Sequence, residues 1–140
     1  MMLSLRRVFA AVAVGAVAML GTVVGAAPAQ AALYDCPRSF FCLYKWINHD
    51  GGRWQVNADT YPTGNCWTLT NSTYTTGGTV YDTSASFHEN SSRRRTLTIY
   101  NWIDCQSGGG SLTIPLGLYE HELNLADINW YHKISSIRIT

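Results

Sequence analysis

The sequence predicts an all-β domain: a sandwich or barrel of short antiparallel strands. Three observations lead to this fold class. Short runs rich in β-branched and aromatic residues recur along the chain, turn-forming residues separate them, and one pattern of residues occurs twice. The best helical spacing lies at 116–130, but Gly117 and the preceding Pro115 weaken it, so we expect at most one short helical turn there.

Seven runs carry the strand signal. They span 41–47, 53–56, 66–70, 79–81, 96–103, 111–114 and 134–139. Turn formers lie between them, in the clusters Asp50-Gly51-Gly52, Pro62-Thr63-Gly64-Asn65, Gly77-Gly78 and Gly108-Gly109-Gly110. This alternation of short runs and turn clusters is typical of all-β sandwiches and barrels.

The first 31 residues have the features of a secretory signal peptide. Two arginines precede an apolar run over 8–27, and Ala29-Gln30-Ala31 is a small-residue cleavage signal. Cleavage there would leave 32–140 as one secreted, extracellular domain. The alternative is a retained membrane anchor, but a run composed mostly of Ala, Gly and Val inserts weakly into a bilayer. We therefore expect no stable membrane insertion.

Charge and composition exclude two classes of protein. The chain has 10 Lys and Arg against 9 Asp and Glu, and its formal net charge is +1. A nucleic-acid binder needs a basic excess to neutralise phosphates, so we expect no nucleic-acid partner. Disorder is excluded because aromatic residues make up 12% of the chain, and disordered segments are poor in them. We expect a folded monomer.

All four cysteines lie beyond the leader, at Cys36, Cys42, Cys66 and Cys105. In an exported domain, disulfides are the default state of cysteines. Three pairings are possible. Cys36 and Cys42 bracket a short turn that contains Pro37, so we expect them to pair, which leaves Cys66 with Cys105. A zinc site is the alternative, but the sequence has no C-x-x-C and no close group of Cys and His.

An internal repeat divides the domain into two units, about 41–95 and about 96–140. Its first anchor is an aromatic segment followed by a glycine pair, and it occurs at 43–48 and again at 99–104. In both copies a Tyr and a Trp alternate with other residues, as in a strand with two different faces. The glycine pairs supply the positive φ of a tight hairpin.

The second anchor of the repeat is a serine-containing segment. Overlaying the two units matches Ser91 with Ser135 and His88 with His132. We expect the repeated serine to bind the folded hairpin to the sheet through a hydrogen bond, because it recurs at one place in both units. The matched histidines are expected to pack at turn ends as structural residues; the alternatives are a zinc pair or a pH switch.

Together these features resemble a known family. An aromatic residue, a hairpin glycine and a serine, repeated twice, resemble the two Greek-key motifs of a βγ-crystallin domain. The opening CPRSFFCLY (36–44), the later CWTL (66–69), the single second-half Cys105 and the ending KISSIRI (133–139) resemble more specifically the secreted bacterial peptidase-inhibitor family typified by the Streptomyces metalloproteinase inhibitor. The resemblance implies a disulfide-stapled, βγ-crystallin-like sandwich that binds an extracellular metalloproteinase as a rigid module.

The resemblance also implies an inhibitory loop closed by a disulfide in the second half. That half contains Cys105 alone, followed by the Gly-rich segment 106–111, which we expect to be flexible. A flexible loop loses ordering entropy when it binds a cleft, so we expect the main contact in the segment next to Cys66. The predicted contact residues are Trp67 and Leu69, as apolar anchors, with Gln106 and Ser107. The alternative for the segment next to Cys66 is an ordinary strand whose side chains pack in the core.

Cofactors are not expected. βγ-crystallin domains often bind calcium through paired Asp or Asn residues just ahead of the motif serines, because the hard cation needs oxygen ligands. Here Phe87-His88 and Tyr131-His132 occupy the places that the overlay gives to those pairs. We therefore predict no calcium and no other metal.

The sequence bears on two other function classes. An enzyme is not expected, because the sequence has no H-E-x-x-H and no G-x-S-x-G motif, and Glu120-His121-Glu122 fits a solvated loop. The alternative to an inhibitor is a non-inhibitory envelope-binding or antimicrobial module of the killer-toxin-like crystallin kind. Such a module would use exposed aromatic residues and the basic run Arg93-Arg94-Arg95.

Overall fold

The computed structural model describes residues 36–140, which form two four-stranded antiparallel sheets. The predicted leader, 1–31, lies outside these residues. The strands are β1 (Phe40–Tyr44), β2 (Arg53–Asn57), β3 (Cys66–Thr68), β4 (Ser86–Glu89), β5 (Thr96–Tyr100), β6 (Ser111–Pro115), β7 (His121–Glu122) and β8 (Ser136–Ile139). Their order is β2-β1-β4-β7 in the first sheet and β3-β8-β5-β6 in the second. The all-β sandwich is confirmed.

Each sheet takes three strands from one half of the chain and one from the other. The short strand β3 precedes the midpoint of the repeat but pairs with β8, and β7 follows the midpoint but pairs with β4. A strand that returns to a distant neighbour is the defining feature of a Greek key. Because the two units exchange one strand, neither unit has a complete sheet of its own.

The core lies between the two sheets. Alternate residues of the central strands face inward, and Phe41, Leu43, Leu97 and Ile99 are completely buried there. The outer face of β1 is covered as well, because the Cys36–Cys42 disulfide packs with Tyr44 against it. Within 36–140 no helix is both long enough and apolar enough to cross a membrane.

Three strand assignments differ from the sequence prediction, which had no strand at β7. The run 79–81 forms no strand and contributes only an isolated bridge between Thr73 and Thr79. Strand β4 was missed, because Ser, His and Glu supply three of its four residues and give a weak strand signal. It is nevertheless an interior strand, hydrogen-bonded to both β1 and β7, so tertiary pairing outweighs its composition.

A folded hairpin follows β1, and a second follows β5 at the corresponding place. In the first, the indole of Trp46 lies directly over Gly51, where a Cβ atom would be 1.7 Å from the ring. In the second, Trp102 covers Gly108 and Gly109 in the same way. Only glycine allows an indole to approach the backbone this closely, so the Trp and Gly residues of the repeat depend on each other.

The serines that hold these hairpins are Ser86 and Ser136. The Ser86 hydroxyl donates to the carbonyl of Trp46 at 2.7 Å and accepts the N–H of His49 at 3.1 Å. The Ser136 hydroxyl donates to the carbonyl of Trp102 at 2.6 Å and accepts the N–H of Cys105 at 2.9 Å. Both serines are completely buried. The predicted role of the repeated serine is therefore present, but at other residues.

The predicted overlay of Ser91 on Ser135 is wrong because strand register sets the correspondence. Tyr44 pairs with Ser86 in β4, and Tyr100 pairs with Ser136 in β8. The same register places Arg138, rather than His132, at the position equivalent to His88, so the two histidines are not matched. From Tyr44 to Ser86 is 42 positions and from Tyr100 to Ser136 is 36, so the first unit is only six residues longer.

We predict that Ser136→Ala lowers the free energy of unfolding by about 1–3 kcal/mol, because it leaves a buried N–H and a buried carbonyl without their partner. Urea unfolding followed by tryptophan fluorescence measures the change. The control is Ser111→Ala, which removes an exposed hydroxyl and should cost less than about 0.5 kcal/mol. Equal effects of the two substitutions would contradict the assigned role of Ser136.

Candidate functional site

The four predicted contact residues do not form one surface. Leu69 is completely buried within the core, so the prediction that it contacts a protease is wrong. The reason is local: a short 3-10 turn, Leu69–Asn71, follows β3, and the N–H of Leu69 donates to the carbonyl of Ser135 at 2.9 Å. This hydrogen bond holds the chain against the second sheet, where Leu69 packs inward.

Trp67 lies at an edge of the sandwich and is 37% exposed. Its ring stacks on Tyr61, with centroids 5.6 Å apart, and meets Trp54 edge to face at 5.5 Å. Because Trp54 belongs to the first sheet and Trp67 to the second, this aromatic group closes the gap between two edge strands. Trp67 therefore has a structural role, and only part of its ring is available to a partner.

Gln106 and Ser107 are exposed in the second hairpin, which is attached to β3 on the side opposite Trp67. The attachment is the Cys66–Cys105 disulfide together with two hydrogen bonds between Thr68 and Asp104, of 2.9 and 3.0 Å. Since side chains alternate along a strand, Cys66 and Thr68 face the hairpin while Trp67 faces away from it.

The Gly-rich segment 106–111 is not the flexible loop expected from its composition. It contains a 3-10 turn, Ser107–Gly109, and the Asn101 side-chain amide donates to the carbonyl of Gly109 at 3.1 Å. The indole of Trp102 covers the same glycines. The segment is therefore packed, and its glycines are needed for close approach of the Trp ring.

A second ordered loop, which was not predicted from the sequence, runs from β6 to β7. Its tip carries two strongly exposed apolar side chains, Leu118 at 51% and Tyr119 at 64%. The carboxylate of Glu89, itself completely buried, accepts the N–H groups of Gly117 and Tyr119, each at 3.0 Å. The turn residue Gly117 was a visible signal, but nothing in the sequence connects it to Glu89.

The segment after β4 is held by another buried carboxylate. Asp59 accepts hydrogen bonds from the hydroxyls of Ser91 and Ser92 and from backbone N–H groups of 92–93. Although burial opposes ionisation, the hydrogen bonds from Ser91, Ser92 and Ser39 and from the backbone of Arg93 hold the pKa of Asp59 well below its usual range. Ser91, predicted to hold a hairpin, instead fixes this turn.

Three histidines come together on the outer face of the first sheet. His88 and His121 are direct cross-strand partners in β4 and β7, with ring centroids 6.2 Å apart. His49, positioned by the first hairpin, stacks on His88 at 5.4 Å and meets His121 at 6.1 Å. His121 thus lies in a two-residue strand rather than in the predicted solvated loop. Within 36–140 no group of three His, Cys, Asp or Glu side chains is arranged to hold a metal ion.

Burial controls the protonation of this cluster. Desolvation lowers the pKa of His49 below its ordinary value, against the effect of a 2.8 Å hydrogen bond between its Nε2 and the carbonyl of Phe87. Desolvation, together with the neighbouring charge of His121, also lowers the pKa of His88. Both rings are therefore neutral near pH 7.

The corrected serine register changes the residues that are compared with a calcium site. The pairs just ahead of Ser86 and Ser136 are Tyr81-Asp82 and Tyr131-His132, and Asp82 and His132 share a positive φ, of 50° and 55°. One carboxylate is therefore present where the overlay had none. Its oxygen accepts a hydrogen bond from the Ser135 hydroxyl at 2.6 Å. The absence of calcium binding stays a prediction.

The three consecutive arginines at 93–95 have different environments. Arg95 donates to the carbonyls of Ala58 and Tyr61, at 2.8 and 2.9 Å, and to the hydroxyl of Thr63. Its guanidinium thus fixes the segment that precedes β3. Arg93 and Arg94 are exposed.

The fold is that of βγ-crystallin domains. A solved structure from work on the evolution of the eye lens βγ-crystallin domain fold is similar, with a TM-score of 0.56 and 17% identity over 75% of this chain and 89% of that one. A βγ-crystallin domain from Flavobacterium johnsoniae is 22% identical over 73% of this chain and 93% of that one, with a TM-score of 0.48. Spherulin 3a from Physarum polycephalum is 21% identical over 76% and 86%, with a TM-score of 0.47.

The sequence decides the family. The model of peptidase inhibitor family I36 matches residues 29–112, which is more than half of the chain. The chain belongs to peptidase inhibitor family I36. It is therefore a peptidase inhibitor rather than an enzyme, and a peptidase is its partner, as the sequence resemblance implied. No curated protein matches the chain significantly.

We predict that the I36 domain loses stability as the pH falls below 6.5. Unfolded histidines take up protons near that pH, whereas His49 and His88 in the folded state resist protonation until a lower pH. Acidification therefore favours the unfolded state, and the contribution is fully present above 6.5. Urea unfolding at pH 8 and at pH 5 measures the difference.

Two variants test whether the buried histidines cause the loss of stability at low pH. His88→Gln should reduce the difference in unfolding free energy between pH 8 and pH 5, because it removes one of the buried titrating rings. His132→Gln changes an exposed ring and should leave the difference as in the wild type. A difference that His88→Gln does not alter would show that the loss of stability arises elsewhere.

Proposed function

We propose that the mature domain is a secreted inhibitor of metalloproteinases that binds its target as a rigid module. The observation that carries this proposal is the family match over 29–112. The metalloproteinase class is supported by the likeness of the cysteine-containing segments and of the ending KISSIRI to the Streptomyces metalloproteinase inhibitor family.

Rigidity is supported by the way the exposed hairpins are held. A buried serine hydroxyl and a Trp ring packed on glycine fix each hairpin against the sheets. The Cys66–Cys105 disulfide also holds the second hairpin. A protein that is already ordered before binding loses little conformational entropy in the complex, and more of the contact energy appears as affinity. An inhibitor that acts by occupying a cleft benefits from this property.

Secretion is supported by two features of the chain. The first 31 residues have a basic start, an apolar run and an Ala-x-Ala ending, which together favour export and cleavage. The two disulfides form readily in an oxidising compartment and are rare in reducing ones. We propose that the cleaved domain, 32–140, is extracellular and monomeric.

The test is a titration of purified 32–140 against a thermolysin-like metalloproteinase, a subtilisin-like serine protease and a papain-like cysteine protease. We expect stoichiometric loss of the metalloproteinase activity at micromolar inhibitor, with the other two enzymes unaffected. Inhibition of the serine or cysteine protease alone would contradict the metalloproteinase class. No inhibition of any enzyme, together with binding to purified peptidoglycan, would instead support the envelope-binding alternative.

A further inference from the structure

The loop between β6 and β7 lies beyond residues 29–112, so the family match assigns no role to it. We propose that 117–120, the tethered loop, inserts the side chains of Leu118 and Tyr119 into the substrate cleft of the inhibited peptidase. This inference rests on the proposed function and specifies which surface of the inhibitor carries it out.

The backbone of the tethered loop is fixed from inside the protein. Glu89 is completely buried, its two carboxylate oxygens accept the N–H groups of Gly117 and Tyr119, and its own N–H donates to the carbonyl of Glu120 at 2.8 Å. Three hydrogen bonds with one residue thus hold a four-residue loop. Breaking those to the carboxyl group would leave its buried oxygens without these donors, which is costly away from water.

Packing of the backbone adds a second restraint. Gly117 lies so close to the carbonyl oxygen of Arg93 that a Cβ atom there would be 2.9 Å away, and its φ is +80°. The N–H of the preceding Leu116 donates to the carbonyl of Arg95 at 2.8 Å, and the Leu116 side chain is buried. The loop therefore begins from a fixed point, and only its tip projects from the surface.

The tip of the tethered loop is apolar and exposed. Leu118 and Tyr119 are adjacent, and each exposes more than half of its side chain. Apolar and aromatic side chains that fill a pocket of the partner supply most of the binding energy in protein interfaces. Peptidase clefts are concave, and such sites are lined mainly by apolar groups, so a convex apolar tip on a fixed backbone is complementary to them.

The other exposed aromatic residues pack against parts of this same protein. The indoles of Trp46 and Trp102 cover glycines of their own hairpins, Trp67 stacks on Tyr61, and Tyr131 stacks on His132 at 3.8 Å. Among the residues of 36–140, the ring of Tyr119 is stacked on no other aromatic ring. Its insertion into a cleft would therefore break no stacking contact.

The backbone conformation of the tip affects whether the bound loop can be cleaved by the peptidase. Tyr119 has a φ of 60°, in the left-handed region, whereas peptides that lie along a binding cleft as an added strand are extended. The loop therefore occupies the cleft through its side chains without presenting an extended peptide bond for cleavage. We expect the inhibitor to be recovered intact from the complex.

The test measures inhibition constants for single variants against whichever enzyme of the panel the wild type inhibits. Leu118→Ser and Tyr119→Ser alter exposed side chains, so circular dichroism should show an unchanged fold. Each should raise the inhibition constant by about 30-fold or more, as expected for a central interface residue. Ile128→Ser, at another exposed apolar residue, is the matched control and should change it by less than about 3-fold.

The outcomes separate the two proposals. If the wild type inhibits but Leu118→Ser and Tyr119→Ser inhibit as well as it does, the tethered loop is not the contact, although the protein is an inhibitor. Loss of inhibition in Gln106→Ala or Ser107→Ala instead would assign the contact to the second hairpin and overturn the inference. Mass spectrometry showing cleavage between residues 117 and 120 would also overturn it. A wild type that inhibits no enzyme contradicts the proposed function itself.

Discussion

Hydrogen bonds between buried side chains and the backbone of exposed loops are the interactions on which the rest of this structure depends. Ser86 and Ser136 hold the two hairpins, Glu89 holds the tethered loop, and Asp59 holds the turn after β4. Each of these contacts joins segments that are far apart in sequence. Loops cannot be fixed by apolar burial alone, because their backbone groups need partners when water is excluded.

These contacts also connect the fold to the function. Ordering the backbone of one residue costs about 1–2 kcal/mol, and a loop that stays mobile until it binds meets that cost in the complex. Here the cost is met during folding, with help from two disulfides and from Trp rings packed on glycine. A small domain with few charged residues can therefore present exposed loops of defined shape, as a peptidase inhibitor of the rigid kind requires.

The sequence was most informative where the signal is local or repeated. The all-β class, the first anchor of the repeat and the cysteine pairing follow from composition, spacing and turn residues. The serine overlay was wrong because it matched Ser91-Ser92 with Ser135-Ser136 by residue identity. The strand register instead makes Ser86 in β4 equivalent to Ser136 in β8. Residue identity near a motif does not determine the register, and a shift of a few residues changes the position of every side chain of the strand.

The candidate site could not be predicted for a related reason. Glu89 lies 28 positions before Gly117, and its sequence neighbours show neither its burial nor its partners. Leu69 was predicted to be a contact residue because it lies, like Trp67, in the segment next to Cys66. The 3-10 turn after β3 ends the strand and directs Leu69 into the core. Hydrogen bonds between distant segments decided both positions.

Amide hydrogen exchange measured by NMR tests the central claim most directly, because it reports on the individual N–H groups that the buried side chains accept. The amides of His49 and Cys105, bound by the two serines, and those of Gly117 and Tyr119, bound by Glu89, should exchange as slowly as amides in β1 and β5. The amide of Leu118, between two tethered residues, should exchange quickly. If Gly117 and Tyr119 exchange as fast as Leu118, the loop is not fixed from within and the account is wrong.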